Sequence, residues 1–129
     1  MKLRLLADEN TSHRLVSACR HVDATFPIIH ISDWKGGAYL WAKDPALLMT
    51  LREANLVLVG FDRASMAMHA GELTHEGLGH AGIILFRRSV PVVAYGSQAK
   101  LLVGLWREAE DWEWADRIVY LPCDPLAVR

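Results

Sequence analysis

Cysteine is scarce: Cys19 and Cys123 are the two in 129 residues, far apart and in no CxxC pattern. A disulfide framework and a cysteine-based zinc site are both excluded, and the pair reads as reduced thiols of a cytoplasmic protein. A charge of one sign is lacking too. The 14 Lys+Arg stand against 15 Asp+Glu, a net charge of -1, so no global field draws the chain to nucleic acid or to an anionic membrane. Any polyanion has to be met by a local patch. No apolar run reaches spanning length, and "MKLRLLADEN" meets a carboxylate pair too early for the apolar core of a signal peptide. These absences point to one soluble domain over residues 1–129 with no membrane association, and no repeat, linker or low-complexity tract is visible.

Apolar surface is what the chain has in excess. A hydrophobic content of 52% with five Trp is high for a small monomer and implies a homo-oligomer or an obligate partner. Short, nearly continuous apolar runs recur at 2–7, 27–32, 55–61, 81–88 and 117–122, as strands buried on both faces require. Between them lie helical periodicities. Leu15, Val16, Cys19 and Val22 mark Thr11 to Val22; Leu47, Leu48 and Leu51 mark Asp44 to Ala54. A stripe from Leu101 to Trp112 marks Ser97 to Trp114. The alternation predicts a three-layer α/β/α fold around a mostly parallel sheet of about five strands. Positions 66–82, with Gly71, Gly77, Gly79 and Gly82, read as a mobile loop. Its "HEGLGH" spaces two histidines five apart, not the four that would put both on one helical face for zinc.

The stretch "LLADENTSHRLV" places Asp8, Glu9 and Asn10 at the carboxyl end of the first strand, the edge where α/β proteins bind ligands. Asn10, Thr11 or Ser12 can cap the helix that follows, which leaves Asp8 with no capping to do. Asp62 follows the third strand in "LVLVGFD", and Asp44 opens the helix of "KDPALL". Parallel strands bring these three to one crevice, where close carboxylates call for a cation such as Mg²⁺ or Mn²⁺. Simple capping remains open for Asp44, which precedes Pro45, and for Asp62. Asp33 is the next candidate should a fourth ligand be needed. Arg14, Lys35, Lys43 and Arg63 flank the edge as phosphate contacts, with Asn10 beside them. Trp34, Tyr39 and Trp41 lead into Asp44, either to stack on unpaired bases or to enter a dimer interface, with Trp41 read as interface.

"LLADENTSHRLV", then "DPALLMTLREAN", then "LVLVGFDRASM", resembles the PIN-like small proteins often encoded beside toxin–antitoxin genes. The resemblance runs from position 3 to about 88, and "DENTSHRLV" is its most specific part. It implies a PIN-like sheet and metal-dependent ribonuclease chemistry, with RNA as substrate and an antitoxin-like protein as partner. Carried over, Asp8, Asp44 and Asp62 take the first, second and third acidic positions. Where the family has threonine and a further aspartate, this chain has Gly60 and Ala64, and Ser12 is followed by His13 and Arg14. The expectation is therefore one metal on Asp8 and Asp62 rather than two, with Asp44 orienting a metal-bound water. A catalytically inactive PIN-like binding module is the alternative. A receiver-like phosphoacceptor is a weaker one, since "RIVYLPCD" supplies no lysine after the fifth strand.

Overall fold

The computed structural model describes residues 3–42, 44–62 and 64–123, without the side chains of Asp44 and Ala64. Strands and helices alternate as β1 (Leu5–Ala7), α1 (His13–Val22), β2 (Ile28–His30), a 3-10 turn (Trp34–Gly37), α2 (Asp44–Ala54), β3 (Val57–Phe61), α3 (Ala64–His75), β4 (Ile83–Phe86), α4 (Tyr95–Ala109) and β5 (Ile118–Leu121). All five strands are parallel, in the order β2-β1-β3-β4-β5. The chain adds β2 to one side of β1 and all later strands to the other, so the winding direction reverses between β1 and β3. This is the switch point of a doubly wound sheet.

Side chains alternate across every central strand, which is why the strands read as unbroken apolar runs. Leu5, Ala7, Val57, Val59, Ile84 and Phe86 join a core beneath α1 and α4, with Leu15, Cys19, Leu102 and Leu105. Leu6, Leu58, Ile83 and Leu85 join a second core beneath α2 and α3, with Leu47, Leu48, Met66 and Leu73. Two helices on each face complete the three layers. No helix among the described residues is long and apolar enough to cross a membrane.

Two helices depart from the periodicity. Residues 64–75 form α3 despite Gly71, where a mobile loop was expected. An interior glycine costs about 1 kcal/mol relative to alanine, and the buried residues Met66, Ala70 and Leu73 outweigh it by packing one face on the sheet. Gly71 lies in open space, so nothing there demands a side chain. The irregular segment is only 76–82. Helix α4 starts at Tyr95 and stops at Ala109, short of Trp112. Trp114 is buried, but it is held from a turn by its Nε1–H, which donates to Ala109 O at 2.9 Å.

Candidate functional site

Asp8 and Asp62 extend adjacent strands at the carboxyl edge, one on either side of the switch point. The ladders continue into both: Asp8 N donates to Val59 O at 3.0 Å, and Asp62 N donates to Phe86 O at 2.8 Å. Leu6 pairs with Leu58. The two-residue period therefore carries Asp8, Gly60 and Asp62 onto the α2/α3 face together.

Asp8 is 4% exposed and is not idle. Its Oδ1 accepts from Asn10 N at 2.9 Å and from Thr11 N at 3.1 Å. The Thr11 hydroxyl donates to Asp8 O at 2.6 Å. The carboxylate thus closes the β1–α1 turn, while Ser12 caps α1 by accepting from Arg14 N at 3.0 Å. That corrects the expectation that capping by a neighbour leaves Asp8 structurally unemployed. The cap and the turn are separate, and Asp8 organises the turn. The carboxylate also lies directly on Gly60, where a Cβ would collide with Oδ2 and sit 3.1 Å from Cγ. A threonine at 60 would leave no room for it. Glycine at that position is what lets Asp8 lie on the α2/α3 side.

The other candidates separate. Asp62 is half-buried and Glu9 exposed. Asp44 is the first residue of α2, with its side chain outside the described residues, as are Arg63 and Lys43 altogether. Asn10 and Arg14 are exposed at the edge, Arg14 with Cζ 6.0 Å from the centroid of the Tyr95 ring. Trp34 is 8% exposed, packed against Tyr39 with centroids 5.2 Å apart, so it offers no open face for a base. Trp41, at 82%, does. A cavity of about 10 Å³ lies between Asp8, Leu40, Leu47 and Met66, room for about one water.

Sequence reasoning passed over two features of this edge. Arg87 and Arg88 follow β4, signalled by a basic pair straight after "ILF". Arg87 is fixed by donating from Nε to Pro122 O at 3.2 Å and by lying 5.3 Å over the Tyr120 ring. The second feature is a polar chain behind Asp8. His30 Nε2 lies 2.8 Å from Thr11 O, which can only accept, so Nε2 carries the proton. Its Nδ1 meets Ser32 N at 3.2 Å and Ser32 Oγ at 2.8 Å, and Ser32 Oγ meets His13 Nε2 at 2.9 Å. The two imidazoles stack at 3.9 Å, and His13 Nδ1 lies 3.7 Å from Asp33 Oδ2. Asp33 thus faces His13 rather than the carboxylates.

The oxygen donors at the crevice suit a hard cation such as Mg²⁺ or Mn²⁺. Among the described residues no group of three or more His, Cys, Asp or Glu could hold a metal ion. Asp8 and Asp62 are the two described carboxylates at this edge that share the α2/α3 face. The chain matches no protein-family model, no curated protein and no solved structure.

Proposed function

We propose that the chain is a metal-dependent ribonuclease of the PIN-like type, acting in the cytoplasm through one Mg²⁺ or Mn²⁺ held by Asp8 and Asp62. The observation that carries this is the shared face of Asp8, Gly60 and Asp62 across the switch point. Two strand steps put the Asp62 Cα about 7 Å beyond that of Gly60, on which the Asp8 carboxylate rests, a span that a hydrated cation bridges. Mg²⁺ needs only one or two carboxylates and fills its shell with water and substrate phosphate. When bound, the cation would supply an activated water and neutralise charge on a scissile phosphate. Arg14, Arg87 and Arg88 stand at the same edge to meet the flanking phosphates, and exposed Trp41 offers a face to an unpaired base. The hydrogen bonds at Asp8 Oδ1 hold its orientation and reduce what it can give to a metal, so affinity and turnover are low.

That same bonding favours a second reading, a binding module in which Asp8 only closes its turn. A receiver-type phosphoacceptor shares the strand order, but Pro122 and Cys123 follow β5 where it needs a lysine. The test is Mn²⁺ titration together with cleavage of single-stranded RNA, on wild type, Asp62→Asn and Ala64→Asp. The nuclease reading requires one weak Mn²⁺ site that Asp62→Asn removes and Ala64→Asp strengthens, with cleavage following occupancy. If folded wild type and Ala64→Asp both leave a range of RNA sequences intact, the binding module replaces it.

A further inference from the structure

A cavity of about 560 Å³ lies at the opposite, amino edge of the sheet. That is the size of a small-molecule site. Its floor is the entry to the strands, at Arg4, Val57 and Ala81. One wall is the 111–116 segment; the other is formed by Arg52 in the last turn of α2, by Asn55 just after it and by the 77–80 loop after α3.

The walls are built. Asp116 Oδ1 accepts from the Thr74 hydroxyl at 2.9 Å and from His80 N at 3.1 Å, tying the two sides together. Gly79, at φ +71°, would drive a Cβ to 2.8 Å from that same oxygen. In this frame His80 is 3% exposed. Its Nδ1 accepts from Gly82 N at 3.1 Å, which leaves the proton on Nε2 of the neutral ring. Burial holds the imidazole below its ordinary pKa of 6.5 against the pull of Asp116, so the neutral ring is the resident form. Nε2 has no protein partner among the described residues. It is not sealed off either, because the fully buried unpartnered side-chain atom among the described residues is His69 Nδ1. His80 lines this cavity, and the ring atom left without a protein partner is its Nε2–H.

The charges around that donor are of both signs. Arg4 and Arg52 line the cavity, and their side chains make no ion pair or hydrogen bond among the described residues. The 111–116 wall brings Asp111, Glu113 and Asp116. Three acids oppose a polyanion, and two unpaired arginines oppose a cation. A ligand with separated charges satisfies both walls.

We propose that this amino-edge cavity binds a small zwitterion of the free amino-acid class, with its carboxylate on Arg4, Arg52 and His80 Nε2–H, and its ammonium toward Asp111 and Glu113. The site is separate from the carboxyl-edge crevice and stands or falls without it. The test is NMR titration of the full chain with the free amino acids one by one, with acetate, methylammonium and inorganic phosphate as further probes. At least one amino acid should shift the amides of 79–82 and 112–116 saturably, and more tightly than acetate or methylammonium. The Arg4→Gln, Arg52→Gln double variant, both positions being exposed and its fold checked by its own spectrum, should weaken that binding at least about tenfold. Failure of every amino acid to saturate, equal affinity in the double variant, or tighter binding of phosphate than of any amino acid each overturns the proposal.

Discussion

The carboxylate of Asp8 rests on the bare Cα of Gly60, across the seam between β1 and β3. Because Asp8 Oδ1 is tied to Asn10 N and Thr11 N, the carboxyl group is not a flexible tip that swings aside. Gly60→Ala should therefore destabilise the fold by about 1–3 kcal/mol through overpacking, and Gly60→Thr by more. Urea denaturation checks this. In the double variant with Asp8→Ala the penalty of Gly60→Ala should shrink, giving a coupling measurable in a mutant cycle. Additive effects would mean that the two residues do not press on one another.

The turn that Asp8 closes is braced from behind through Thr11. Thr11→Val removes the hydroxyl that donates to Asp8 O and should cost about 1–2 kcal/mol. His30→Leu removes the bond to Thr11 O and the acceptor for Ser32 N, both in a nearly buried setting. Its cost should be larger, about 2–4 kcal/mol, since the Thr11 carbonyl loses its partner. Chemical denaturation of both variants measures the order. If Thr11→Val is the worse of the two, the imidazole is not the brace.

Strand existence and the placement of Asp8 and Asp62 at the carboxyl ends of their strands were legible because buried parallel strands leave continuous apolar runs, and the residue after each run marks the carboxyl edge. Strand order was not legible, since alternation alone does not say on which side of β1 each new strand adds. The α3 helix was hidden by Gly71, because the packing of Met66, Ala70 and Leu73 that overrides glycine exists only once the sheet is present. His13, Ser32 and His30 come from two segments whose juxtaposition depends on β1 pairing with β2. The amino-edge cavity was hidden for the same reason. Arg4, Arg52, His80 and Asp116 lie in four separate segments, and the His80 tautomer follows from a backbone contact at Gly82 that no spacing announces.

Cys19 and Cys123 should differ in reactivity. Burial on the core-facing side of α1 pushes the Cys19 thiol from its ordinary 9.0 up to about 12, so almost no thiolate forms near neutral pH. Cys123 is only half-buried. Alkylation of the native protein with iodoacetamide should modify Cys123 first, and Cys19 only after urea unfolds the core. Peptide mapping by mass spectrometry reads this out, and equal labelling in the native state would contradict the burial of Cys19. The raised pKa also sets a sign. Between pH 9.0 and about 12 the unfolded chain releases a proton that the folded chain keeps, so this thiol's contribution to stability is whole below pH 9.0 and is lost as pH rises through that window.

At the acid end the same linkage runs through His80, whose pKa burial lowers from 6.5 with Asp116 acting the other way. A base with a depressed folded pKa is protonated first in the unfolded chain. Its contribution is therefore complete above pH 6.5 and is lost as pH falls below that value toward the folded pKa. Protonation in the folded state would also put a hydrogen on Nδ1, turning the acceptor of the Gly82 N–H into a second donor facing it. His80→Asn isolates this effect, because its side-chain oxygen can take the place of Nδ1 for Gly82 N and does not titrate. Urea midpoints taken between about pH 7.5 and about pH 5.5 should fall for wild type and fall less for His80→Asn, the window lying above the range in which carboxylates titrate. Parallel slopes for the two proteins would mean that His80 binds its proton equally well folded and unfolded, and that burial does not hold the ring neutral.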